Sequence, residues 1–100
     1  MNNQKSINEI KKIIHEHDSE LTTKYKVKSL ELFGSLSRGD QTEKSDIDIL
    51  VEFREAVGGF LLIATESFLS SILNQKVDLI PKKAIRDEFE RNILKDLIPI

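Results

Sequence analysis

Apolar residues recur at helical spacing near the start of the chain. Ile7, Ile10, Ile14 and Leu21 are separated mainly by lysine, glutamate and histidine, which predicts one amphipathic helix over about 6–23. Ser6-Ile7-Asn8-Glu9 has the form of a capping box, with Ser at the N-cap and Glu three residues on. From Val27 to Phe33 the period shortens to two, with Leu30 and Leu32 on one side, and a first strand is expected. Gly34 to Ser45 is polar and reads as a loop. Ile47, Ile49, Val51 and Phe53 then alternate with Asp46, Asp48, Leu50 and Glu52. That is a second strand with one apolar face and one face carrying carboxylates. After the break at Gly58-Gly59, Phe60 to Leu73 is apolar at nearly every turn and predicts a buried helix ended by Asn74-Gln75. Lys76 to Ile80 predicts a short third strand stopped by Pro81. Ile85, Phe89, Ile93 and Leu97, spaced four apart, predict a last helix over about 83–97, ended by Pro99.

The predicted order is α-β-loop-β-α-β-α. Strands with helices between them imply an α/β (α+β) domain, a small mixed sheet with helices packed against one face. One hundred residues fit a single domain over 1–100 and leave no room for two. A domain of this size has a small core, to which a partner could add. The helix over 60–73 carries one charge, Glu66, and its surplus of apolar surface is expected to meet another chain, either a second copy or a partner.

Composition narrows the chemistry. The net charge of −2 argues against a general nucleic-acid binder, which needs a basic face. It does not oppose a small nucleotide, whose charge a metal can neutralise. There is no cysteine, so disulfides, thiolate zinc sites and thiol catalysis are excluded. His15 and His17 cannot build a zinc site alone and read as solvated. The start of the chain has no apolar stretch, so no signal peptide is expected. The longest apolar run is five residues, Phe60 to Ala64, far too short to span a bilayer. The expectation is a soluble cytoplasmic protein.

The carboxylates are the strongest signal. Residues i and i+2 of a strand point the same way, so Asp46 and Asp48 project together while Ile47 and Ile49 enter the core. Two adjacent carboxylates repel each other unless a cation lies between them. Mg²⁺, which takes one or two carboxylates and completes its shell with water and phosphate oxygens, is the natural occupant. Asp78 sits between Val77 and Leu79 as Asp48 sits between Ile47 and Ile49. If the third strand lies beside the second, Asp78 emerges with the pair, and three carboxylates could hold two metals for an in-line phosphoryl displacement. Gly34 and Ser35, directly after the first strand, suit a phosphate cradle of backbone N–H groups and a hydroxyl. Arg38 offers a planar fork for phosphate oxygens.

Gly34-Ser35, ten residues, then Asp46-Ile47-Asp48 resembles the G-S-x₁₀-D-x-D pattern of the polymerase-β-like nucleotidyltransferase superfamily. Leu32 to Gly39, Ser45 to Val51, Lys76 to Ile80 and the closing Arg91 to Ile100 look like its minimal branch, the MNT proteins. The likeness spans about residues 25–100. It implies the fold of that superfamily, a short mixed sheet flanked by helices. It implies that Gly34 and Ser35 bind the triphosphate and that Asp46 and Asp48 bind metal. Asp78 would complete the metal site and favour deprotonation of the attacking hydroxyl. It further implies a HEPN-domain toxin as partner, with AMP passing from ATP to a tyrosine of that toxin and the present chain acting as antitoxin. Ser37 stands where many members carry alanine, with no chemical consequence.

Blander readings compete. An Asp-x-Asp pair alone is usually a solvated face. A P-loop is ruled out, since Gly34-x₄-Gly39 is followed by Asp40-Gln41. An EF-hand is ruled out too, because Leu50 and Val51 stand where a glycine turn is required. Lys82, Lys83 and Arg86 read as the solvated start of the last helix. Two other functions stand beside protein adenylylation: a non-catalytic antitoxin that masks its toxin by binding, and nucleotidyl transfer to a small molecule or to RNA.

Overall fold

The capping box at the start of the chain is formed in the computed structural model, which describes residues 6–33, 46–84 and 97–100. Ser6 Oγ accepts the Glu9 N–H at 3.1 Å and Glu9 Oε1 accepts the Ser6 N–H at 3.4 Å. Helix α1 therefore begins cleanly and spans Ile7–Glu16. The single helix expected over 6–23 is in fact two, α1 and α2, the latter spanning Asp18–Thr23. His17 causes the break. Its ring Nδ1 donates to the Ile13 carbonyl at 2.9 Å, the acceptor that its backbone N–H would use in a continuous helix. The backbone N–H turns instead to Ile14 at 3.1 Å. The ring is half-buried and meets Phe68 edge-on, with centroids 5.6 Å apart, so His17 is packed where a solvated residue was expected.

Strand β1 spans Val27–Phe33 and strand β2 spans Ile47–Phe53, and they pair antiparallel. A bulge between Val27 and Ser29 lets Val27 share the buried side with Leu30 and Leu32 despite the odd spacing. Helix α3 spans Gly59–Leu73. It is closed by Asn74 at φ 52°, a left-handed conformation that asparagine tolerates better than most residues. Strand β3, Val77–Pro81, returns parallel to β2. A 3₁₀ turn follows at Lys82–Ala84. Residues 85–96, most of the predicted last helix, lie outside the described residues. A fourth strand that the pattern did not announce, β4 at Ile98–Pro99, pairs with β1. Pro99, read as a helix terminator, is tolerated there because an edge position needs no donor.

The sheet order is β3-β2-β1-β4, with one parallel and two antiparallel pairings. One face is covered by the helices. Ile10 and Ile14 of α1, Leu21 of α2, and Leu69 and Leu73 of α3 pack with Leu30, Leu32, Ile47, Ile49 and Val51 into one buried cluster. Leu61, Leu62, Phe68 and Ile72 lean on it half-buried. The surplus expected on this helix is thus smaller than its sequence suggests: among the described residues the large exposed apolar side chains are Phe60, 93% exposed, and Ile63, 64% exposed. No described helix is long and apolar enough to cross a membrane.

Candidate functional site

Alternation along β2 separates its side chains. Ile47 and Ile49 are buried in the helix-covered face, and Asp48 between them is half-buried on the other. Asp46 precedes the strand by one residue, with its side chain 41% exposed. In the parallel β2–β3 ladder Asp48 is paired in register with Asp78, and Ile47 and Ile49 with Val77 and Leu79. Cross-strand partners in register put their side chains on the same face. Asp48 and Asp78 are therefore neighbours on the face opposite the core, and Asp78 is exposed. On the other side of Asp48 the partner is Phe33, the last residue of β1.

Gly34, Ser35 and Arg38 lie outside the described residues. Among the described residues no three His, Asp or Glu side chains converge into a ready cluster for a metal ion. The three aspartates share a region of one face without meeting at a point. A cation that the sequence reading did not single out stands beside one of them. Lys76 Nζ lies 3.6 Å from Asp46 Oδ2. The Lys76 carbonyl also accepts the Ile47 N–H at 2.9 Å, which fixes the register of β3 against β2. The available signal was the lysine directly before Val77-Asp78, on the same short strand segment.

Further along the same face, Glu31 of β1 pairs in register with Leu50, which in turn pairs with Ile80. Lys82 reaches over this row to Glu31 at 3.1 Å, with Glu31 only 17% exposed. Lys82 is thus committed to a carboxylate and is not the solvated helix start expected of it. Arg86 lies outside the described residues. A cavity of about 390 Å³ lies at the far ends of β2 and β3, lined among others by Val51, Phe53, Pro81, Lys82 and Lys83. The aspartates do not line it.

A face with adjacent carboxylates at one end of a mixed sheet, next to the end of β1, can hold a hard cation and orient phosphate oxygens beside it. Comparison with known proteins bears on this arrangement. A family model described as a nucleotidyltransferase domain matches residues 7–100. A protein of Methanocaldococcus jannaschii, provisionally named a protein adenylyltransferase, is 47% identical over 97 residues, covering 96% of this chain and 99% of its own. The protein adenylyltransferase MntA of Thermococcus cleftensis is 32% identical over 93 residues, covering 93% and 94%. Among solved structures, one provisionally described as a minimal nucleotidyltransferase superposes with a TM-score of 0.73 at 22% identity, covering 91% of this chain and 95% of that one. Another, a tri-AMPylated Shewanella oneidensis HEPN toxin in complex with MNT antitoxin, matches with a TM-score of 0.58 at 22% identity, over 92% of this chain and 66% of that one. Likeness at such identity shows a shared fold.

Proposed function

This chain belongs to the nucleotidyltransferase domain family, and on that premise we propose that it transfers AMP from ATP to a protein hydroxyl, a tyrosine of a HEPN-domain toxin, and so acts as an antitoxin in the cytoplasm. The observation that carries the reading is the registered pairing of Asp48 with Asp78 beside Asp46. All three offer hard carboxylate oxygens on neighbouring backbone positions, a donor set that fits Mg²⁺ and needs only one or two of its members per ion. Asp46 and Asp48 would hold one or two Mg²⁺ ions, with Asp78 completing the site. When bound, Mg²⁺ supplies charge neutralisation of the triphosphate and orientation of its oxygens.

The rest falls to the chain's own residues. Gly34 and Ser35 cradle the triphosphate, and Arg38 binds its oxygens. Asp78, exposed at the edge of the face, takes the proton of the attacking hydroxyl. The hydroxyl oxygen bonds to the α-phosphorus, the bond from that phosphorus to the bridging oxygen breaks, and pyrophosphate leaves. Lys76, which pairs with Asp46, would have to release that carboxylate for it to hold a cation.

A second reading, an antitoxin that masks its toxin without chemistry, is favoured by exposed Phe60 and Ile63 on α3, a surface for a partner or a second copy. Intact-mass analysis of a HEPN-domain toxin incubated with this protein and MgATP separates the two. Adenylylation adds whole AMP units to a tyrosine of the toxin. Toxin neutralised with unchanged mass would leave masking as the mechanism, and label appearing on RNA or a small molecule would redirect the acceptor. Gly34→Val should block ATP binding in calorimetry while leaving the fold intact, since the added bulk closes the backbone approach.

A further inference from the structure

Asp78 sits on a strand whose one hydrogen-bonded neighbour among the described residues is β2. A side chain on such an edge is only as well placed as the strand beneath it. Strand edges fray because their outward N–H groups have no ladder partner. Here the outward groups of β3 are held from the helix. Ser70 Oγ accepts the Val77 N–H at 3.0 Å, and Glu66 Oε2 accepts the Leu79 N–H at 2.9 Å. Both contacts are partly buried. The next position on that side is Pro81, which has no N–H to satisfy.

The spacings explain the match. Glu66 and Ser70 are four residues apart on α3, which puts them on one side of the helix about 5–6 Å apart. Val77 and Leu79 are two apart in the strand, which puts their N–H groups on one edge about 6–7 Å apart. The helix thus presents two acceptors at nearly the spacing of two strand donors. Those donors belong to the two residues that flank Asp78. Glu66 is also the one charged residue of α3, whose sequence is otherwise apolar or small. A carboxylate within such a helix needs a partner, and the Leu79 N–H is that partner.

We propose that Glu66 and Ser70 are positioning residues for the transfer reaction: by clamping Val77 and Leu79 they hold the Asp78 carboxylate at a set place beside Asp48. The inference rests on the role given to Asp78 above. Both act on backbone N–H groups of β3. Their contribution is to the placement of the Asp78 side chain, as outer partners of metal ligands commonly contribute 10- to 100-fold.

The test uses the full chain and Mg²⁺ alone as the first probe, with the Asp78 carboxyl carbon followed by NMR. Glu66→Ala, Ser70→Ala and the double variant are compared with Glu66→Gln, which keeps an oxygen acceptor without the charge. In the wild type Mg²⁺ should shift the Asp78 signal. The double alanine variant should need about tenfold more Mg²⁺ for the same shift, and amide exchange at Val77 and Leu79 should quicken. Glu66→Gln should stay within about twofold of the wild type, because the hydrogen bond and not the charge places the strand. With MgATP and an acceptor, the alanine variants should lose turnover with little change in KM for ATP. Faster exchange at Val77 and Leu79 with an unchanged Asp78 response to Mg²⁺ would overturn the proposal, and so would Glu66→Gln behaving like Glu66→Ala. A wild-type Asp78 that ignores Mg²⁺ would overturn the assignment of Asp78 itself, and the positioning role with it.

Discussion

On the helix-covered face of β2, Ile47, Ile49 and Val51 are each at most 1% exposed, whereas on the opposite face Asp48 and Glu52 are only half-buried. The two faces are made by alternate residues of the same strands, one position apart. On the first face the side chains belong to a single cluster of 14 buried residues, and among the described residues the buried polar side chain is Thr65, whose hydroxyl donates to the Leu61 carbonyl. On the second, Glu31 and Lys82 pair across the sheet, Ser29 Oγ lies 3.5 Å from Glu52, and Asp48 and Asp78 lie side by side. Leu50 is the exception, 1% exposed on the carboxylate face between Glu31 and Ile80. The contrast teaches that a period of two lets one strand carry stability and chemistry at once, with little interference between them.

The largest effect should come from the carboxylate face. The double variant Asp46→Ala with Asp48→Ala removes the charge that offsets the phosphates, and MgATP-dependent transfer should fall by on the order of 10³-fold or more. Its circular dichroism should remain that of the wild type. Full transfer activity in that variant would end the catalytic reading of this face. Asp78→Asn should be milder and selective, cutting turnover far more than ATP affinity, because it acts on the attacking group. Ile49→Ala inverts the experiment. The side chain is fully buried at 0% exposure, and its truncation should cost about 2–5 kcal/mol in urea unfolding. Turnover of the molecules still folded should change little. A variant that kept its stability and lost its turnover would show that the faces are not separable.

How far this division could be read beforehand depends on the element. β1 was legible to the residue and β2 to within one, Asp46 standing just before it, because alternation over seven positions is unambiguous. The registered partnership of Asp48 with Asp78 was legible only as a conditional, since pairing is a long-range event that no local pattern encodes. The break at His17 was not legible, because it depends on a side chain competing for a backbone acceptor. β4 was missed since two residues carry no period. Lys76 was not singled out and Lys82 read as solvated, because their partners, Asp46 and Glu31, lie 30 and 51 residues away in sequence. On α3 the sequence overstated the exposed apolar surface: a helix rich in leucine and isoleucine can bury most of them when a sheet lies under it and α1 beside it.

What remains exposed on α3 gives a third test of the contrast, now between the covered and the open sides of one helix. Phe60 and Ile63 lie three apart, one turn, at its first two turns. Each is worth about 1.5–3 kcal/mol if another chain buries it. Phe60→Ser with Ile63→Ser should weaken association with the partner, or self-association, by at least about tenfold on those magnitudes. Light scattering after size exclusion at low micromolar concentration is the measurement. Leu69→Ala, on the buried side, should instead lower stability by about 2–5 kcal/mol. Identical association by the double serine variant and the wild type would remove this patch from any interface.

The smallest effect belongs to neither face but to the rim, where Lys26 and Glu55 form an exposed ion pair. The hydrogen bond from Lys26, followed by its charge, holds the Glu55 carboxyl below its ordinary value of 4.5, with Arg54 adding slightly. A carboxyl lowered on folding favours the folded state above its ordinary value, and that contribution is lost as the pH falls below about 4.5 toward the folded value. Because the pair is open to solvent, its effect on unfolding should be near the limit of detection and should vanish in high salt. Lys26 has a further peculiarity, a φ of 59°, which a lysine adopts with strain and an asparagine adopts more readily. Lys26→Asn therefore removes the ion pair and eases the backbone in one change. NMR titration of the Glu55 carboxyl in that variant should move up toward the ordinary glutamate value. Stability at neutral pH should hold or rise slightly, since backbone relief outweighs an exposed ion pair. A marked loss at neutral pH, with its pH dependence centred on Glu55, would mean that the rim pair anchors the turn into β1 more firmly than its exposure allows.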